Sequence, residues 1–411
     1  MSLPHPEAPA SSSTVSRRRA SSRAKRVVLG VVVMLWAVVA VVMILGLLLP
    51  TYPGALLLTA GLLTGLIYPF LVVVVAAGVV IAVIAWRRRG RVLAVVATAL
   101  SVLLAIGIAW PTVGAFAAAD QANTKLSVAS LFQAAPEEGS PTPAETQTYR
   151  SVDGQDLDVD VWAPVSDEAA DKANHASLVY VFGGGWVAGD RTQWAPFFQY
   201  LTAQGITVFS VDYRLSTPEQ ASWSTSITDV RCAIGWVHDN ADVYDIDSNR
   251  VAISGGSAGA NLALLAGYTG DKPAPKGCGA DTSVRAVLDF YGPTDLAAVE
   301  SDAGSSVVVD MLHTYLGATA QEEPQRYADL SPLNHVSSSS PPTLILHGTH
   351  DGMVPTSQSE RLAEALEAVG VEHRLALIGG AQHGFDMIWG TFAGQVARAE
   401  VMSFMEEHVT N

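Results

Sequence analysis

Ser257 stands in the run Val251-Ala252-Ile253-Ser254-Gly255-Gly256-Ser257-Ala258-Gly259-Ala260-Asn261-Leu262. An apolar segment enters a Gly-x-Ser-x-Gly turn and leaves it as a second apolar segment with helical character. A serine hydroxyl is a poor nucleophile near neutral pH, so this turn can do chemistry only if a base stands beside it. His383, in Gly380-Ala381-Gln382-His383-Gly384-Phe385, is the candidate base, carried on a turn with small neighbours. Asp351, in Leu344-Ile345-Leu346-His347-Gly348-Thr349-His350-Asp351, is the candidate acid that would hold the imidazole in one tautomer and stabilise the imidazolium. Asp386 competes with it for that role. His347 and His350 are weaker candidates for the base, since neither sits in a glycine-flanked turn. A developing oxyanion needs backbone donors. The N–H groups of Ala258, at the start of the helix, and of Gly184 and Gly185, in Val179-Tyr180-Val181-Phe182-Gly183-Gly184-Gly185-Trp186, are expected to supply them. Trp186 is expected to pack rather than to bind substrate.

These four loops need a scaffold. Strand, Gly-x-Ser-x-Gly turn and helix together make the context of a nucleophile elbow, whose sharp reversal demands nearly side-chain-free neighbours. Strands are expected at residues 156–162, 178–182, 208–213, 251–254, 286–290, 343–346 and 375–378. The middle ones are almost continuously apolar, as befits parallel strands covered on both faces. Helical spacing appears at 227–240, 262–268, 357–369 and 394–409. This alternation predicts an α/β fold with a doubly wound, mostly parallel sheet. In such sheets active groups gather at the carboxyl ends of the strands, where all four motif loops fall. Residues 293–330 form a longer insertion, helical around 307–316, expected to act as a lid or pocket wall. The catalytic domain is expected over 148–411, preceded by a Pro-, Ser- and Thr-rich linker at 118–147 with Pro136, Pro141 and Pro143.

The N-terminal part is of another kind. Residues 27–49, 56–86 and 92–110 carry no charge and are long enough to cross a bilayer. Arg17, Arg18, Arg19, Arg23, Lys25 and Arg26 precede the first stretch, and Arg87, Arg88, Arg89 and Arg91 separate the second from the third. The positive-inside rule puts both clusters in the cytoplasm. A cytoplasmic tail (1–26), a transmembrane region of about three helices (27–117; spans 27–49, about 62–86, and 92–110) and an extracytoplasmic catalytic domain follow. The second stretch is expected to be one long helix, tilted or kinked. Its alternative, two short passes broken at Pro69, would put the arginine cluster on the wrong side. Ala115-Phe116-Ala117 resembles a small-residue cleavage site, which leaves release of the catalytic part open.

Charge divides the chain in the same way. Residues 1–119 carry ten basic residues against the single acid Glu7, a net of +9, so the overall −15 leaves −24 on residues 120–411. An acidic domain repels phosphate, so nucleic acid is not expected as a partner. The only cysteines are Cys232 and Cys278. Buried free thiols are the expectation; a disulfide is the alternative if the domain faces an oxidising compartment. No metal-ligand spacing is present, and neither metal nor cofactor is expected.

Taken together, the Gly-Gly-Gly-Trp loop with Val187-Ala188-Gly189-Asp190, Val211-Asp212-Tyr213-Arg214-Leu215, the Gly-Gly-Ser-Ala-Gly elbow and Ser331-Pro332-Leu333 resemble the α/β-hydrolase esterases of the hormone-sensitive-lipase-like and feruloyl-esterase-like (BD-FAE-like) branch. The order oxyanion loop, Ser, Asp, His is that of the α/β-hydrolases. The resemblance covers residues 148–409 and leaves the membrane stretches outside. It implies hydrolysis of a small-molecule or lipid ester through an acyl-enzyme, without metal or cofactor, with Ser257, Asp351 and His383 as the triad and Gly184, Gly185 and Ala258 as oxyanion donors. The family usually has His before the three glycines, where this chain has Phe182. Two other classes stay open: a peptidase or amidase of the same fold, and a non-catalytic binding domain on a hydrolase scaffold.

Overall fold

The computed structural model describes residues 12–49, 55–302 and 305–411. Part of the expected cytoplasmic tail, residues 1–11, lies outside the described residues. The chain divides into two compact units, one of residues 1–48 and 70–108, the other of residues 49–69 and 109–411.

Four helices lead the chain: α1 (Ser12–Leu48), α2 (Ala55–Ile67), α3 (Val72–Arg87) and α4 (Arg91–Gln121). A short 3₁₀ turn, Tyr68–Leu71, joins α2 to α3. Proline at 69 lacks the amide hydrogen that a helix interior needs, and the α-helical run is interrupted there. Three stretches, Val27–Leu48, Leu58–Arg87 and Arg91–Gln121, are long and apolar enough to cross a membrane. The third runs eleven residues beyond the expected end at residue 110. The Ala115-Phe116-Ala117 segment is therefore helical. Within the first unit, Trp36, Ala40, Ala82 and Ala97 form an apolar cluster. Trp36 donates its indole N–H to the Val74 carbonyl at 3.1 Å. Gly78 faces the Trp36 ring and Ser101, where any side chain would collide. Small residues at such crossings let apolar helices approach closely.

The second unit holds an eight-stranded sheet in the order β1-β2-β4-β3-β5-β6-β7-β8. Its strands are β1 (Glu145–Val152), β2 (Gln155–Trp162), β3 (Ser177–Val181), β4 (Thr207–Val211), β5 (Val251–Gly256), β6 (Ala286–Phe290), β7 (Thr343–Gly348) and β8 (His373–Ile378). β1, β2 and β4 pair antiparallel, and every pair from β4·β3 to β7·β8 is parallel. Every residue of β3, β4, β5, β6 and β7 is buried, which is why those strands read as unbroken apolar runs. The helices that cover the faces are α5 (Asp167–Lys172), α6 (Ala195–Ala203), α7 (Trp223–Asp239), α8 (Ala258–Tyr268), α9 (Leu296–Asp302), α10 (Ser306–Leu316), α11 (Pro324–Asp329), α12 (Ser357–Ala368) and α13 (Phe392–Met405).

Three sequence expectations are corrected here. β1 was not foreseen; it lies at a sheet edge, is largely exposed and has no apolar alternation to betray it. The segment expected as a loose linker at 118–147 loses both ends, to α4 and to β1, and its middle is tied down. Ser127 exchanges two hydrogen bonds with the Gln395 side chain, and Gln199 donates to the Pro136 carbonyl. Finally, Cys232 and Cys278 are not free thiols. They form a disulfide with Cα atoms 4.9 Å apart, joining α7 to the loop after α8.

Candidate active site

β5 ends at Gly256, and Ser257 follows with φ 56°, ψ −121° before α8 begins. That is a sparsely populated backbone state for a residue with a side chain, of the kind that concentrates at working sites. It is held by the hydrogen bond from Ser257 N to the Phe290 carbonyl at 2.8 Å. Close packing behind the turn explains its glycines. A Cβ at Gly259 would collide with the carbonyl oxygens of Val181 and Phe182, and one at Gly255 with the Gly259 backbone. All eleven residues of α8 are buried, so the helix start is fixed against the sheet.

His383 and Asp351 come together as expected. His383 Nδ1 and Asp351 Oδ2 are 2.7 Å apart, with Asp351 fully buried and His383 nearly so. The other carboxylate oxygen accepts from the backbone N–H groups of Met353 and Val354, at 2.8 and 2.9 Å. Burial pushes the Asp351 carboxyl upward, but the His383 charge and hydrogen bonds from His347 and His383 outweigh it and hold the group well below the usual carboxylate range. Asp386, the rival acid, is turned to other partners: it accepts from Trp194 Nε1 and from the Tyr291 hydroxyl. Burial raises its carboxyl.

Ser257 and His383 flank the same segment. Ser257 N bonds to Phe290, and the ring of the next residue, Tyr291, packs on the His383 ring with centroids 4.5 Å apart. Among the described residues no hydrogen bond joins Ser257 Oγ to His383. Such contacts are commonly long before substrate binds and tighten in the complex.

The glycine loop after β3 lies against the elbow: a Cβ at Gly183 would stand 3.4 Å from Ser257 Cβ. Gly184 has φ +130°, open only to glycine, and a side chain there would strike the Ala188 carbonyl. Among the described residues no acceptor takes the N–H of Gly184, Gly185 or Ala258. Free backbone donors are what a developing oxyanion requires. Phe182, in the place of the usual histidine, is buried and stacks on Tyr213 at 4.5 Å, and the Tyr213 hydroxyl donates to the Phe182 carbonyl at 3.0 Å. The loop is thus braced by ring packing and by its own backbone. Trp186 packs as expected, stacked on Tyr315 of α10 at 4.4 Å with the rings nearly parallel. Met311, also on α10, closes over Gly185. The insertion at 293–330 therefore forms a wall beside the glycine loop.

His347, a weaker candidate base by sequence, stands on the acid instead. His347, fully buried, reaches Asp351 Oδ2 with Nε2 at 3.3 Å, and its Nδ1 lies 2.6 Å from Ser359 Oγ. Burial lowers its tendency to hold a proton, but the hydrogen bond and charge of Asp351 raise it further. Its spacing of four residues before Asp351, across the end of β7, was the available signal. Asp289 on β6 is an unforeseen buried acid. Burial pushes it up to about 7, against the Gly292 N–H and the nearby His347. Among the described residues no group of three or more His, Cys, Asp or Glu could hold a metal ion.

Comparison with known proteins gives a consistent picture. Residues 160–366, just over half of the chain, match the sequence profile of the BD-FAE family. Esterase LipC of Mycobacterium tuberculosis is 34% identical over 236 residues, which cover 56% of this chain and 58% of LipC. Esterase LipQ of the same organism is 34% identical over 226 residues, 54% of this chain and 53% of LipQ. The chain thus spans somewhat over half the length of the curated relatives it matches. Among solved structures, the propionate-bound esterase Est2 of the planctomycete Thermogutta terrifontis superposes with a TM-score of 0.55 at 27% identity, covering 66% of this chain and 96% of Est2. The sheet, its order and these likenesses make this an α/β-hydrolase fold.

Proposed function

The chain belongs to the BD-FAE family, and from that premise we propose that it hydrolyses carboxylic esters by serine catalysis. The observation that carries the reading is the Asp351–His383 pair, 2.7 Å apart, with the His383 ring packed on Tyr291, the neighbour of the residue whose carbonyl holds Ser257 N. In this reading Ser257 Oγ attacks the ester carbonyl carbon while His383 Nε2 takes its proton. Asp351 accepts from Nδ1–H and stabilises the imidazolium. The N–H groups of Gly184, Gly185 and Ala258 stabilise the tetrahedral oxyanion. Collapse expels the alcohol, which leaves with the proton from His383. Water, deprotonated by the same imidazole, then attacks the acyl-enzyme and releases the acid and free Ser257.

We further propose that three helices anchor the protein in a membrane with the hydrolase outside the cytoplasm. Two independent features support that orientation. Both arginine-rich clusters fall on the same side under the positive-inside rule. The Cys232–Cys278 disulfide suits an oxidising compartment.

A fluorophosphonate, which phosphonylates activated serines with loss of fluoride, tests the reading. It is expected to label the full-length protein and not Ser257→Ala; equal labelling of both, or of neither, refutes the assignment. A panel of short acyl esters and matching amides separates esterase from amidase, with turnover of the esters expected. A membrane-impermeant version of the probe, applied to intact cells, should still label; labelling only after lysis would reverse the orientation.

A further inference from the structure

The helices that cross the membrane are longer than a membrane. Leu58–Arg87 and Arg91–Gln121 hold 30 and 31 residues. At 1.5 Å per residue the continuous helix Arg91–Gln121 is about 45 Å long, against a hydrocarbon core of about 30 Å that about 20 residues span. The arginines at 87–91 fix one end of both helices at an aqueous surface. Counting about 20 residues away from that cluster reaches Tyr68 on one helix and Trp110 on the other, with Pro69 and Pro111 beside them. Aromatic rings of this kind favour the membrane–water boundary. The remaining residues, 55–67 and 111–121, project beyond it.

Those projecting ends belong to the same compact unit as the hydrolase, and they touch its catalytic loops. The Trp110 ring meets the His350 ring edge-on at 4.9 Å, one residue before Asp351. A Cβ at Gly380 would collide with Pro111, one at Gly114 with the Gly379 carbonyl, and one at Gly65 with the Gln382 side chain. Gly379, Gly380 and Gln382 lead directly into His383. The glycines on both sides let backbone rest on backbone. An apolar crevice lined by Gly65, Tyr68, Pro111, Ala115, Ile378 and Phe385 lies at this junction. From Gly380, against Pro111, to His383 is three residues, a reach of about 10 Å at most.

We infer that the catalytic loops are seated on the outer surface of the bilayer, and that the substrate is an ester whose apolar part stays in the lipid. A carbonyl at the boundary, on a chain held in the membrane, arrives where His383 and Ser257 stand; a freely soluble ester gains nothing from that placement. The inference rests on the proposed serine-esterase reading and adds to it the substrate class and the route of entry.

The test uses the full-length protein in phosphatidylcholine vesicles. Ser257 is labelled with a fluorophosphonate bearing a dye on a short tether, with and without lipids that carry a nitroxide high on the acyl chain. Shallow nitroxide lipids are expected to quench the dye. The same preparation is given a long-chain diacylglycerol in the bilayer and a short soluble ester. The bilayer ester is expected to be favoured in kcat/KM by at least about tenfold, a discrimination that a single methylene can supply in an apolar pocket. Labelled protein whose emission ignores the nitroxide overturns the inference and leaves the esterase reading intact. So does preference for the soluble ester. Failure of Ser257 to label overturns the esterase reading, and the inference falls with it.

Discussion

Replacing Asp351 by Asn tests the catalytic pair at its most sensitive atom. The substitution keeps the size of the side chain and one acceptor oxygen, so the bonds from Met353 N and Val354 N can persist. What changes is the oxygen 2.7 Å from His383 Nδ1. An amide NH₂ there donates, which turns the imidazole to the tautomer that cannot take the serine proton, and no negative charge remains to stabilise imidazolium. The comparable loss in a serine protease is about 10⁴-fold in turnover, or about 5 kcal/mol of transition-state stabilisation. Initial rates on a short p-nitrophenyl ester, with the full-length protein in detergent micelles, measure it. Asp386→Asn is the matched control, since Asp386 answers to Trp194 and Tyr291 instead; its rate should stay within about tenfold of the parent, far from the 10⁴-fold tautomer effect. An Asp351→Asn protein that keeps a tenth of its activity while Asp386→Asn collapses would mean the acid has been misassigned. Thermal unfolding of both variants guards against a simple loss of fold.

Other outcomes follow from the packing and the buried charges. Asp289 titrates near 7 when folded, above its unfolded value, so the folded state binds its proton more tightly. Its contribution is complete below about pH 4 and is lost as pH rises through about 7, a change on the order of 4 kcal/mol. Asp289→Asn should flatten the melting temperature between those limits, and parallel curves for variant and parent would contradict it. Breaking the Cys232–Cys278 bridge, which closes a 46-residue loop, should cost about 4 kcal/mol on the chain-entropy account. Denaturant unfolding of the Cys232→Ala, Cys278→Ala double variant reads this; an unchanged midpoint would count against a formed bridge. Gly259→Ala puts a methyl against two backbone carbonyls that cannot swing aside. It should cost about 3 kcal/mol, the upper end for overpacking, and lower the melting temperature by about 5–10 °C; an unshifted melt would mean that the turn has room to relax.

Much of the site was legible because its loops follow buried parallel strands. A run such as Leu344-Ile345-Leu346 ending in His347-Gly348 shows both the strand and the place where it stops. Ser257, His383 and the Gly183–Gly185 loop were located in that way, and Asp351 was separable from Asp386 by its position after a strand. The remainder lay beyond one-dimensional pattern. β1 is polar and edge-exposed, so no hydrophobic period marks it. His347 was read only as a weaker candidate base, and its hold on Asp351 depends on how the chain turns after Gly348. The disulfide joins segments whose meeting is decided by the packing of α7 against α8. Hydropathy could find the apolar helices, but not that their ends rest on Gly379, Gly380 and Gln382.

The Phe182–Tyr213 stack has a consequence of its own. Relatives that carry an imidazole before the glycine loop have, at that point, a group that gains charge as the surroundings acidify. A phenyl ring has no proton to gain. The brace of the proposed oxyanion loop therefore carries no ring that gains a proton on acidification. In the proposed placement outside the cytoplasm, acidification would find no group to charge in that brace.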